Sequence, residues 1–238
     1  MSGVLRIAPF GGTGAVVQID FERKEIQLKI VYYGPGLSGK TTNLIHIHKI
    51  CSPCNRGRLM TLETRDDRTL FFDLLPIRFE SASGLSIAIK LFTVPGQVIH
   101  NATRKLVLQG ADAVAFIADS QISEVRNNQE SFINLKENLK DIGLDLKQMP
   151  LVIQFNKRDL PSVRSEAEID AMAAKGREPV YKATAVRGEG VVETLLGLLD
   201  ITWKRLDEAH NLSAKFGVEG VRLMQSLKSQ LSTSKESR

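Results

Sequence analysis

Gly34, Pro35, Gly36, Leu37, Ser38, Gly39, Lys40 and Thr41 spell G-x-x-x-x-G-K-[ST], and no other stretch of the chain constrains its fold so tightly. Glycines let backbone N–H groups turn inward and approach an anion that a Cβ would hold away, so such a loop forms a positively polarised nest. Lys40 can then reach the β and γ phosphates of a nucleotide. Thr41 offers a hydroxyl to Mg²⁺, a cation that prefers hard oxygen ligands, and Thr42 follows it along the phosphates. The loop works only between a strand and a helix, and both are present. Residues 27–33, Q-L-K-I-V-Y-Y, are rich in β-branched and aromatic side chains and predict a strand. Residues 41–51 carry Leu44, Ile47 and Cys51 at helical spacing, which sets a helix N-terminus under the phosphates.

Downstream, strand and helix patterns alternate. Residues 85–92, 111–117, 150–155 and 178–183 predict strands, the middle two as apolar runs suited to burial on both faces. Residues 129–142, 165–175 and 191–210 predict helices. The pattern gives an α/β fold of the P-loop NTPase kind, a mostly parallel central sheet with helices on both faces and the ligand at the carboxyl ends of the strands. With 238 residues, 42% of them hydrophobic, the chain can bury one sizeable core with modest extensions. No apolar run approaches the roughly 18 residues of a membrane-spanning helix, and the first ten residues lack the apolar stretch of a secretory signal. A cytoplasmic location is the expectation.

The net charge of +5 is concentrated toward the end, where residues 204–238 hold seven Lys/Arg against four Asp/Glu. Phe216, Leu223, Met224, Leu227 and Leu231 lie near helical spacing there, so part of the tail is expected to form an amphipathic helix, with residues 229–238 disordered. Membrane contact, if made, would be weak or indirect through this tail, and no direct contact with nucleic acid is expected. Cys51 and Cys54 form C-x-x-C beside His46 and His48. On a helix those two histidines point to nearly opposite sides, so reduced thiols at a helix end are a better reading than a zinc site.

A second motif selects the base. Asn156, Lys157, Arg158 and Asp159 follow the predicted strand 150–155 as N-K-x-D. A carboxylate at Asp159 can accept from the N1–H and exocyclic amine of guanine, whereas adenine would set an acceptor against it. Thr184, Ala185 and Val186, after the last predicted strand, stand where a backbone N–H can meet the guanine carbonyl.

The run I-V-Y-Y-G-P-G at 30–36, D-R-T-L-F-F-D at 67–73, T-V-P-G-Q at 93–97 and N-K-R-D-L-P at 156–161 together resemble the bacterial Ras-like small GTPases of the MglA type. The resemblance spans residues 25–205, a GTPase domain between an N-terminal extension, 1–24, and a C-terminal tail, 206–238. It implies GTP and GDP as ligands, with Mg²⁺ held by Thr41 and Thr69. It also implies Arg68 as an intrinsic arginine finger, Gln97 orienting the attacking water and Gly96 offering its N–H to the γ phosphate. Switch segments would cover residues 54–78 and 93–109. A Roadblock-type, MglB-like activating protein and effectors of polarity or motility would be the partners, with recruitment to a cell pole or the inner membrane face. Thr93 stands where most such enzymes carry an Asp, which leaves Thr41 and Thr69 as neutral oxygens and implies a weaker or more GTP-dependent Mg²⁺ site. A GTP-dependent scaffold without hydrolysis and, more remotely, a P-loop ATPase or kinase are the alternative readings.

Overall fold

The computed structural model describes residues 4–7, 17–63 and 71–232. Its centre is β3 (Glu25–Tyr33), which pairs in parallel with β6 (Ser86–Thr93) on one side and β7 (Ala113–Asp119) on the other. Parallel β8 (Leu151–Asn156) and β9 (Val180–Lys182) extend the sheet beyond β7. Antiparallel β5 (Phe71–Glu80) and β4 (Met60–Glu63) extend it beyond β6. The strand order is β4-β5-β6-β3-β7-β8-β9. This is the mostly parallel α/β sheet expected from the sequence.

Alternation on β3 explains the two-layered core. Ile26, Leu28, Ile30 and Tyr32 face a cluster built with α1 (Lys40–Ile50) and α5 (Val191–His210), while Val31 and Tyr33 face one built with α2 (Asn101–Leu108), α3 (Val125–Asp141) and α4 (Glu166–Lys175). Every position of β7 is buried, which is what a central strand covered on both faces requires. The start of α4 is fixed by a capping box, in which Ser165 and Glu168 exchange side-chain and backbone bonds.

Both ends of the chain join this body. A hairpin of β1 (Val4–Ile7) and β2 (Val17–Asp20) runs antiparallel to the first residues of β3, below the point where β7 begins pairing with that same edge. At the other end, α5 turns at Asn211 and leads into α6 (Leu212–Phe216) and α7 (Gly220–Ser232). Phe216, Leu223, Leu227 and Leu231 are all buried in the α1/α5 cluster. The disorder expected over residues 229–238 is corrected for 229–232, where α7 continues because Leu231 completes its apolar stripe and Gln230 bonds to Asn55 and to the Glu80 backbone, and residues 233–238 lie outside the described ones. The stacked rings of Phe21 and Phe216, 5.4 Å apart, tie the two ends together. Among the described residues no helix is long and apolar enough to cross a membrane.

Candidate functional site

The carboxyl ends of β3, β6, β8 and β9 meet at one edge of the sheet, and the described predicted site residues lie at or just after them. Residues 34–39 leave β3 and deliver Lys40 and Thr41 as the first turn of α1. Gly39 caps that helix at φ 94°, a left-handed conformation that L side chains rarely adopt, and a Cβ there would run into the Asn156 amide. Gly96 lies so close to Gly36 that a Cβ on it would meet the loop backbone, so the segment after β6 starts in contact with the phosphate loop. Leu37, at φ 58°, projects outward. Lys40 Nζ donates to the carbonyls of Pro35 at 2.6 Å and Gly34 at 3.2 Å. Burial, aided by the charge of Arg104, brings the Lys40 ammonium down to about 7, and Asp73 opposes the shift. An anion in the loop would favour its charged form.

Asp73, at 6% exposure, is the site residue that sequence reasoning missed. It sits on β5 and accepts from Thr41 Oγ1 at 2.7 Å, Thr93 Oγ1 at 2.9 Å and Thr61 Oγ1 at 2.9 Å, while its own N–H donates to Thr93 Oγ1 at 2.8 Å. Thr93 therefore holds a carboxylate instead of supplying one. The sequence alone sets only neutral oxygens beside Thr41; in the structure an acid, Asp73, also stands there, on the strand adjacent to that of Thr93. A hydroxyl and a carboxylate side by side are hard oxygens, the donor set a small divalent cation takes. They line a cleft of about 330 Å³ with Leu37, Gly39, Lys40 and Gly96. The aspartate in the F-F-D run was the available signal, but β5 was not recognised as a strand.

The base-side loops are bound to the phosphate loop through one amide. Asn156 Nδ2 donates to the Ser38 carbonyl at 2.8 Å, and its Oδ1 accepts the Ala185 N–H at 2.9 Å. Asn156 thus braces the loops. Lys157, at φ 64°, pairs through Nζ with buried Asp119 at 2.6 Å, and Asp159 is exposed beside it. Thr184 and Ala185 are buried, whereas Val186 projects into solvent. Thr42 is half-buried behind Thr41, and Pro35 is buried beneath the loop. Gln97 is exposed at the head of a short helical turn, next to Gly96. Arg68 and Thr69 lie outside the described residues.

Cys51 is buried, which pushes its thiol up to about 11, and Cys54 is exposed. Both histidines remain within helical α1. Among the described residues no three His, Cys, Asp or Glu side chains gather as a metal site.

A phosphate loop between strand and helix, the helix N-terminus under it and a base loop braced to it at the carboxyl edge of a parallel sheet define a P-loop nucleotide-binding protein. No family model matches the chain. It is 48% identical over 177 residues to the mutual gliding-motility protein MglA of Myxococcus xanthus, covering 74% of this chain and 91% of that protein. The GTPase Obg of Caldicellulosiruptor bescii is 37% identical over 81 residues, 33% of this chain and 19% of Obg. The chain belongs to the MglA family of Ras-like small GTPases.

Proposed function

We propose that this protein binds and slowly hydrolyses GTP with Mg²⁺, and that the γ phosphate orders two switch segments whose release after hydrolysis times a binding surface. The observation that carries the reading is the Asn156 bridge. It joins the phosphate loop at Ser38 to the base loop at Ala185, so that one ligand spanning both is gripped as a unit. Asp159 would accept from the guanine N1–H and amine. The N–H groups after Thr184 would meet its carbonyl.

In that complex Lys40 would neutralise the β and γ phosphates, and Thr41 would hold Mg²⁺ with Asp73, which Thr93 and Thr61 orient. The chemistry a bound Mg²⁺ would supply there is charge neutralisation at the transferring phosphoryl group. Family resemblance assigns Thr69 to the metal in the GTP state, Arg68 to the charge developing on the departing group, Gln97 to the attacking water and Gly96 N–H to the γ phosphate. Turnover by such enzymes alone is on the order of 10⁻⁴ per second, and a partner accelerates it by about 10⁵. A Roadblock-type activator is the partner this reading favours, and the gliding-motility name of the Myxococcus relative points to control of cell polarity or motility. The division at residues 24 and 205 is retained as the GTPase boundary.

The test is GTP turnover by the wild-type chain, Gln97→Ala and Arg68→Ala, with GTP and ATP in competition for binding. Guanine-selective binding with slow turnover lost in both variants is expected. Equal affinity for ATP would refute the base assignment, and guanine binding without turnover would favour the scaffold reading.

A further inference from the structure

Arg104 is the largest fully buried side chain among the described residues, at 0% exposure, although arginine almost never leaves water unless paired. Three elements enclose its guanidinium. Nη2 donates to Ser131 Oγ of α3 at 2.8 Å and to the Gly34 carbonyl of the phosphate loop at 3.3 Å, and the group lies 4.3 Å from the ring centroid of Tyr33 on β3. Its Nε and Nη1 are buried and make no hydrogen bond among the described residues.

The Gly34 oxygen also accepts from Lys40 Nζ at 3.2 Å. Two cations therefore share one carbonyl at the foot of the phosphate loop. Burial works against the Arg104 charge and Tyr33 favours it; Asp73 on β5 acts on Lys40, and Glu137 on α3 acts on Tyr33. A buried charge without a counter-charge is costly, and one beside a like charge more so. The anion whose position relieves both is the oligophosphate of a nucleotide in the loop above them. Arg104 belongs to α2, the helix of the second switch, so this relief acts on the docking of that helix.

We propose that Arg104 is a second cation of the phosphate site, a positioning residue that fastens α2 to the phosphate loop while nucleotide phosphates are bound and loosens it when they leave. The inference rests on the nucleotide-binding reading above. It makes the phosphate loop and the second switch one electrostatic unit, in which the diphosphate common to GDP and GTP governs attachment of the helix. Response to the γ phosphate is left to Gly96 and Gln97.

The experiment compares the full-length wild type with Arg104→Met, which keeps most of the apolar stem, and Arg104→Lys, which keeps the charge. Thermal midpoints and amide exchange of residues 101–108 are read without nucleotide and with GDP. In the wild type GDP is expected to raise the midpoint and to protect α2. Arg104→Met is expected to match or exceed the wild-type midpoint without nucleotide, since it removes an uncompensated charge. It should bind GDP at least about tenfold more weakly and show the same α2 exchange with and without GDP. Arg104→Lys should restore affinity to within about threefold. A nucleotide-free midpoint lowered in Arg104→Met, or its failure to fold, would give the arginine an ordinary packing role and overturn the proposal, as would wild-type GDP affinity in that variant. A wild-type chain indifferent to GDP would instead refute the nucleotide-site reading, and the inference with it.

Discussion

Replacing Asp73 with Asn changes little in shape and removes one charge from the position where Thr41 ends. In the structure Oδ2 accepts from Thr41 and Thr93 and Oδ1 from Thr61, three hydroxyls that can rotate to suit an amide. The strand register of β5 on β6 is set by backbone pairing and is kept. The principal loss is therefore electrostatic. A carboxylate acting on a dication within a few ångströms contributes on the order of 2 kcal/mol even at the dielectric constant of water, and more where the acid is nearly buried. That floor corresponds to a roughly thirtyfold weaker Mg²⁺ affinity. The assay is release of a fluorescent GDP analogue across a Mg²⁺ titration, with chelator as the zero-metal reference. Asp73→Asn should need at least about thirtyfold more Mg²⁺ to slow release, and should match the wild type in chelator. An unchanged Mg²⁺ dependence would show that the carboxylate only braces threonines, and the reasoning from its position would fail.

Other perturbations test different parts of the molecule. Burial raises the Asp112 carboxyl to about 7, against the opposing Lys29 N–H and ammonium, so the native state holds this proton more tightly than the unfolded chain. Its stabilising contribution is complete below pH 4 and is lost as pH rises through 7; Asp112→Asn should be the more stable protein at pH 8, by roughly 4 kcal/mol, and show little difference near pH 4 in urea unfolding. Leu227→Ala, in the stripe that seats α7, should cost about 2–5 kcal/mol in chemical denaturation; a cost near zero would mean that α7 is not anchored in solution. Gly39→Ala combines a left-handed backbone with a collision at Asn156, and should abolish GDP binding in a filter assay while the far-ultraviolet circular dichroism is retained.

The phosphate and base motifs were legible in the sequence because each is a local run whose chemistry depends on neighbouring residues. The central strands were legible because β7 and β8 are buried on both faces and so are nearly continuous in apolar residues. β5 was concealed by Pro76, which speaks against a ten-residue strand. It is tolerated there because β4 pairs only with residues 71–74, and the segment that meets the outer edge at residue 76 needs only the proline carbonyl, which accepts from the Gly57 N–H at 2.8 Å. With β5 hidden, Asp73 could not be placed against Thr41, 32 residues away. Arg104 was concealed for another reason, since its burial depends on Ser131 and Gly34, which only the folded sheet brings to it. The tail was half legible: its leucine spacing gave the helix, but composition alone could not tell that the stripe meets α5 and α1.

The Phe21–Phe216 stack has a consequence for how the protein is made. At a synthesis rate of roughly 5–20 residues per second, Phe216 is joined to the chain about 10–40 s after Phe21. Through that interval the N-terminal aromatic ring waits on the ribosome without the ring it lies against. The seam between the first hairpin and the last helices closes only after Phe216 has been made, so a chain stopped before that point leaves the face that Phe216 covers open.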